Sequence, residues 1–168
     1  MKPTASEITA RPYRREDALV TLTIFFDAVT ETAAADYTAQ QIHAWARIKQ
    51  RTPESWNRAM LNRTSFVALV RDEVVGFSDV DEHGYIDMMF VSPWYARRGV
   101  ATVLMRTVEC QARKTGATHL SANVSITARP FFERHGFIVK MEQHPVVAGV
   151  SMSNFHMVKD LFSTPTLR

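Results

Sequence analysis

The sequence predicts an α/β protein of the α+β kind: a mixed, mostly antiparallel central sheet flanked by helices on both faces. Three observations predict it. Strand-like and helix-like runs alternate along the 168 residues, with no internal repeat, linker or low-complexity tract between them. The apolar runs 66–70 and 74–80 are separated only by Arg71, Asp72 and Glu73, the spacing of an antiparallel hairpin. The strongly apolar run 85–91 passes through a short basic loop and Gly99 into a helical pattern.

The elements follow in order. Residues 8–12 read as a short first strand. Residues 16–32 read as a helix, because Leu19, Leu22, Phe26 and Val29 recur at spacings of three and four. Thr38, with Gln41 three residues on, has the capping-box spacing for a helix running to Ile48. Residues 53–61 form another short helix, followed by the hairpin and by a strand over 84–91. The helix 100–114 places Val100, Val103, Leu104 and Val108 on one face. Arg113 and Lys114 complement its C-terminal dipole and Gly116 caps it. Cys110 falls beside the core positions and reads as a small buried hydrophobe. Residues 119–124 form a strand. Thr127 caps a short helix that accommodates Pro130 in its first turn, and Gly136 ends it. Residues 137–143 and 150–159 close the sheet as a strand pair.

Composition narrows the function classes. Hydrophobic residues at 46% and charged residues at 22% are ordinary for a globular protein long enough to bury a full core. A net charge of +3 is too small to argue for nucleic acid, although it suits an anionic ligand. One cysteine excludes an internal disulfide and fits a reducing cytoplasm. The first seven residues hold no apolar h-region, and no run approaches the roughly 18 apolar residues of a membrane span. The expectation is a cytoplasmic protein with neither membrane nor nucleic-acid partner. No His/Cys/Asp/Glu spacing reads as a metal site.

The residues Val91-Ser-Pro-Trp-Tyr-Ala-Arg-Arg-Gly-Val-Ala101 are the most informative stretch. A strand, a basic loop, a glycine and a helix start aim backbone N–H groups and a positive dipole end at one spot. Arg97 and Arg98 sit beside it. Paired cations at a helix start oppose the dipole and cost stability unless an anion binds. The arrangement suits a phosphate or pyrophosphate. The competing reading is a solvated helix N-terminus.

The same stretch resembles the acyl-CoA-binding motif of the GCN5-related N-acetyltransferases, Gln/Arg-x-x-Gly-x-Gly/Ala. Gly99 and Ala101 match it, and Ala96 departs from its first position. Residues 127–137, Thr-Ala-Arg-Pro-Phe-Phe-Glu-Arg-His-Gly-Phe, resemble the second family signature, Asn-x-x-Ala-x-x-Phe-Tyr-x-x-x-Gly-Phe. Residues 37–45, 85–91 and 154–157 are similar to the bacterial YafP-like branch. The resemblance covers about residues 8–161. It implies one acetyltransferase domain over residues 1–168 and the acyl-CoA N-acyltransferase fold. It also implies acetyl-CoA as donor, CoA as product, no metal, and direct acetyl transfer to a primary amine in a ternary complex.

The resemblance implies roles as well. The strand 85–91 should splay from 119–124, so that Met89, Phe90 and Val91 offer backbone groups to the pantetheine arm. The amide near Met89 would polarise the acetyl carbonyl, a donor typically worth about 3 kcal/mol of barrier. Arg97, Arg98, Gly99, Val100, Ala101 and Thr102 would hold the pyrophosphate. Ser125 stands where the family usually has an asparagine facing the pantetheine amide. Phe132 stands where many members have a tyrosine that protonates the departing thiolate. Phenylalanine keeps the apolar wall and loses that acid.

A base must take a proton from the amine. Asp87 interrupts an apolar strand, and period 2 puts it on one face with Tyr85 and Met89. It reads as the base or as a structural hydrogen-bonding carboxylate. Tyr85 reads as a proton relay or as simple strand packing. His83, in the preceding turn, has the pKa range of a base, although a turn histidine is also simply solvated. Tyr37, Trp45, Asn154 and Phe155 are substrate-side candidates by position in the branch, with Trp45 equally readable as helix core. Arg47, Lys49, Arg51, Arg58 and Arg63 form a dispersed basic run near the expected acceptor side, readable as a patch for a macromolecular acceptor and more often an ordinary solvated face. The acceptor is expected to be a small-molecule amine. The rivals are a CoA-binding sensor without chemistry and an enzyme acting on a protein or tRNA-linked amine. Homodimers are common in the family.

Overall fold

Two runs of β-branched and apolar residues form the centre of the molecule. The computed structural model describes residues 7–162, so most of the N-terminal stretch read for a leader lies outside them. Strands β2 (Thr64–Val70) and β3 (Glu73–Val80) pair antiparallel. Their loop is Arg71 and Asp72, with φ of 49° and 67°, the doubly positive turn that matches the twist of a hairpin. β1 (Ile8–Pro12) pairs with β2, and β5 (Met89–Val91) pairs with β3.

A second half-sheet has the order β4 (Tyr85–Ile86), β6 (His119–Ser125), β10 (Asn154–Asp160), β7 (Ile138–Gln143). Only β4 and β6 run parallel among these pairs. β8 (Val146–Val147) and β9 (Val150–Ser151) form a small hairpin of their own. The mixed, mostly antiparallel architecture is therefore as expected.

Both faces of the first half-sheet are covered. Val67, Leu69 and Phe77 pack with Leu22 and Phe25 of α1 (Ala18–Asp27) and with Trp56 and Met60 of α3 (Pro53–Leu61). Ala68, Val70 and Val75 face the other way, onto Val100 and Leu104 of α4 (Val100–Lys114). Gly76 lets that helix approach: a Cβ there would lie 3.0 Å from Val100 Cγ1 and 3.1 Å from the Phe90 carbonyl. Further along α4, Met105, Val108 and Ala112 join Leu120, Ala122 and Met157 under the second half-sheet. Each large apolar side chain buried this way contributes about 1.5–3 kcal/mol. α5 (Arg129–Arg134) adds Phe132 to the same cluster.

Several elements differ from the sequence reading. The strand expected over 84–91 is two strands, β4 and β5, interrupted at Asp87 and Met88. The helix expected over 16–32 opens with a 3₁₀ turn, Arg15–Asp17, and widens after α1 into a π-turn, Ala28–Thr32. Its inner stripe is Ala18, Thr21, Leu22, Phe25 and Val29, and Leu19 is 65% exposed. Hydropathy passes over Thr21, whose hydroxyl donates to the Asp17 carbonyl and accepts from Trp56 Nε1 at 2.9 Å. The stretch Arg15–Ala35 is long and apolar enough to cross a membrane by length and composition; in this fold its inner stripe belongs to the core.

α2 (Ala39–Ala46) has the expected Thr38–Gln41 capping box but ends before Ile48, because Arg47 turns left-handed at φ 46°. Thr127 does not cap α5. Its hydroxyl donates to Asp36 Oδ2 at 2.7 Å, and Ser125 Oγ accepts from the Ala128 N–H at 3.1 Å instead. The last strand is broken at Met152 and Ser153 into β9 and β10. Cys110 is exposed, not buried, because it lies off the stripe that α4 turns to the core.

Candidate active site

Two polar residues near the end of β3, Ser78 and Asp79, shape the candidate site. Asp79 is fully buried. Its Oδ1 accepts from the Asp87 N–H at 2.8 Å and the Met88 N–H at 3.4 Å. The Met88 carbonyl accepts from Ser78 Oγ at 2.8 Å and from the Asp79 N–H at 3.2 Å. The N–H groups of residues 87 and 88 and the Met88 carbonyl are thus satisfied by β3 itself. Ile86 pairs with Ala122 of β6 and Met89 with Ser78 of β3, so the two half-sheets part at this point.

Asp79 Oδ1 lies 3.2 Å from Arg63 Nη2, whose guanidinium sits 5.9 Å from the Tyr85 ring centroid. Burial pushes the Asp79 carboxyl above its ordinary value, outweighing the pull of the Asp87 N–H and of Arg63. Its Oδ2 has no hydrogen-bond partner. Nothing in the sequence reading singled out Ser78 or Asp79. Their signal was present as a polar pair inside a strand buried on both faces.

Where the half-sheets part, a cavity of about 290 Å³ opens. Ile86, Asp87, Met88, Met89 and Phe90 form one wall, and Ala122 to Ser125 of β6 form the opposite one with Phe132. Phe25, Tyr37, Trp45 and Arg51 close a third side, and Met152, Ser153 and Asn154 lie at the rim. β5 is an edge strand on this side, and β6 has no strand neighbour there beyond Ala122.

The expected residues distribute as follows. Asp87, Met89, Phe90, Ser125, Phe132, Tyr37, Trp45 and Asn154 all line the cavity. The period-2 face does not hold, because the strand breaks between its members: Ile86 lines the cavity and Tyr85 does not. The Tyr85 hydroxyl accepts from Asn123 Nδ2 at 3.4 Å. Burial first, and the Asp87 charge second, push its phenol above the ordinary value. His83 is exposed in its turn, 3.5 Å from Glu82 Oε1, and is not among the lining residues. Val91 pairs with Gly76. Phe155 is half-buried and packs against the second half-sheet's core cluster, with the Arg129 guanidinium 4.5 Å from its ring centroid.

Tyr37 fastens the cavity's edge. Its hydroxyl donates to the Ser153 carbonyl at 2.6 Å and accepts from the Ile126 N–H at 3.0 Å. Its ring lies 5.5 Å from that of Trp45, which lies 6.2 Å from that of Phe90. The Asn154 Oδ1 is buried without a partner.

Gly99 is the N-cap of α4 at φ 93° and offers no side chain to the first-turn N–H groups. A Cβ there would meet nothing nearer than Ile8 Cδ1 at 3.7 Å. Arg97 and Arg98 are exposed, with Arg98 5.3 Å from the Tyr95 ring. Val100 is buried in the core, while Ala101 and Thr102 are half-buried. The Thr102 hydroxyl lies 3.4 Å from His135 Nε2. An uncapped helix N-terminus flanked by two cations is suited to an anion.

The sequence put Arg51, with Arg63, in a basic run near the acceptor side and favoured a solvated face for it; of that run only Arg51 lines the cavity. Arg51 stands over the Phe25 ring at 4.6 Å and its Nε donates to the Ala46 carbonyl at 3.0 Å. It lies in the loop between α2 and α3, where periodicity carries no information. Among the described residues no cluster of metal-ligating side chains occurs.

This geometry has relatives. A family model for the acetyltransferase (GNAT) domain matches residues 33–161. The chain is 38% identical over 152 residues to the uncharacterized N-acetyltransferase YafP of Escherichia coli K12, covering 90% of this chain and 95% of that protein. A crystal structure from Rhodopseudomonas palustris, described as a GCN5-related N-acetyltransferase and class-II aminotransferase, matches with a TM-score of 0.88 at 29% identity, covering 95% and 98% of the two chains. PaiA N-acetyltransferase of Thermoplasma acidophilum, solved with coenzyme A, shares the fold with a TM-score of 0.74 at 19% identity, over 91% and 98%. The family match spans most of the chain and the YafP match nearly all of it: the protein belongs to the GCN5-related N-acetyltransferases, an acyltransferase family, and within it to the YafP-like branch.

Proposed function

We propose that the chain is one N-acetyltransferase domain that moves acetyl from acetyl-CoA directly to the primary amine of a small molecule, with both substrates bound together. The observation that carries this reading is the gap between β5 and β6, opened at Asp87 and Met88 and continuous with an apolar cavity.

The residues fit the donor. The uncapped start of α4, with Arg97, Arg98 and Gly99, suits the pyrophosphate. The free edges of β5 and β6 suit an extended amide-bearing arm. Acetyl-CoA supplies the activated thioester. The backbone N–H near Met89 serves to polarise its carbonyl, a contribution of about 3 kcal/mol. Asp87 takes the proton from the attacking amine. Phe132 walls the cavity and has no proton to give, so water protonates the leaving thiolate. A cavity of about 290 Å³ is at the low end for small-ligand sites, which favours a small acceptor over a macromolecule. The lone cysteine fits a cytoplasmic setting.

Phe132 also favours a second reading, a CoA-binding sensor without turnover. Calorimetry with acetyl-CoA, followed by thiol release against a panel of amines, separates the two. Binding with turnover on an amine supports the transferase. Binding with no turnover on any amine supports the sensor. Absence of binding overturns both.

A further inference from the structure

The acceptor side of the cavity carries one cation and one anion that do not neutralise each other. Among the described residues, Arg51 is the only basic side chain and Asp87 the only carboxylate in its lining. Arg51 enters no ion pair with any carboxylate of the described residues. The two charges still act on one another across the space, Asp87 opposing the downward push that burial and Arg47 exert on the guanidinium.

Protein contacts hold the guanidinium without using it up. Its Cζ stands over the Phe25 ring, Nε donates to the Ala46 carbonyl at 3.0 Å, and Nη2 reaches the Trp45 carbonyl only at 3.5 Å. Nη1 has no hydrogen bond to the described residues. A half-buried cation without an anion is unfavourable, and a fixed guanidinium fork is the side chain best shaped to take a carboxylate. A lone cation matches one negative charge better than a phosphate dianion. The lining beside Arg51 is aromatic: its guanidinium stands over Phe25, whose ring lies 5.1 Å from that of Phe90, which lies 6.2 Å from that of Trp45.

The α4 anion site does not account for Arg51. Arg51 and Phe25 lie on the face of the first half-sheet that carries α1 and α3, whereas α4 covers the opposite face.

We propose that the acceptor is an amino-acid-like zwitterion with an apolar or aromatic body, its carboxylate held by Arg51 and its amine presented at Asp87. This rests on the acetyltransferase reading above.

The test is thiol release at saturating acetyl-CoA for matched amines with and without a carboxylate: phenylalanine against phenethylamine, and leucine against isoamylamine. The expected result is a kcat/KM higher by about tenfold or more for the carboxylated member of a pair, expressed in KM, the scale of a charge-assisted hydrogen bond. Arg51→Met should bring that ratio to about one, and Arg51→Glu should reverse it, with melting curves reporting the fold of each variant. A ratio of one or less in the native protein overturns the proposal and leaves the transferase standing. A preference that survives in folded Arg51→Met overturns it as well. Turnover confined to amines without a carboxylate does the same. No turnover on any amine removes the transferase reading and this proposal with it.

Discussion

The buried carboxylate of Asp79 accepts a hydrogen bond at 2.8 Å from the backbone N–H of Asp87. That contact joins a structural acid to the proposed base. It ends the pairing of the strand and sets the backbone from which the Asp87 side chain reaches the cavity wall.

Asp79→Ala should therefore be costly. It strips the acceptor from the Asp87 N–H and leaves Arg63 without its partner, a loss of about 3 kcal/mol or more in urea unfolding. Adding Arg63→Met should recover part of it. The pH dependence has a definite sign. Because burial raises the Asp79 carboxyl, the fold favours its protonated form. The stability this contributes is full below the ordinary carboxylate value and is lost as pH rises through the raised one. The native protein should thus lose stability relative to Asp79→Asn as pH increases across that window.

Asp87→Asn keeps the shape of the side chain and removes its basicity. Turnover should fall by about a hundredfold, with acetyl-CoA affinity by calorimetry unchanged. A pH–rate profile identical to that of the native protein would remove Asp87 as the base.

Gly99→Glu places a negative, β-carbon-bearing residue at φ 93° beside the uncapped N–H groups of α4. The left-handed conformation costs about 1–2 kcal/mol, while the open surroundings leave room for the side chain. The variant should fold and bind acetyl-CoA more than tenfold more weakly. Gly99→Asn, which tolerates this conformation, should bind better than Gly99→Glu.

Tyr37→Phe deletes the hydroxyl that bridges Ser153 and Ile126. Both bonds are to backbone groups, so the loss should be about 1–3 kcal/mol in thermal or urea unfolding. Because the same hydroxyl fixes the rim, KM for the acceptor should rise more than kcat falls.

The parts legible in the sequence were those encoded locally. The hairpin around Arg71 and Asp72, the Thr38–Gln41 cap and the amphipathic α4 each follow from spacing within a few residues. The exposed basic loop and uncapped helix start at Gly99, which we propose for the pyrophosphate, were legible as geometry because glycine, arginine pair and helix start adjoin one another. What escaped depends on distant residues. The division of the strand at Asp87 follows from Ser78 and Asp79 on a neighbouring strand. Leu19 points outward because Thr21 is held inside by Trp56, 35 residues away. Arg51 reaches the cavity from a loop, where no pattern marks which side is in. Cys110 lies two residues from each of the buried positions Val108 and Ala112, which is enough to move a side chain from core to solvent.

The parting of the half-sheets also divides the backbone ladder of the sheet in two. Among the described residues the only strand that runs through both is the broken one, and α4 packs beneath them. Amides facing the opening on β5 and on the outer part of β6 belong to no ladder there and should exchange with deuterated solvent early, by local opening. A donor seated in the opening should slow that exchange and raise the melting temperature with the logarithm of its concentration. Residues 85–91 would then respond to the cell's acetyl-CoA level through rigidity as well as through turnover.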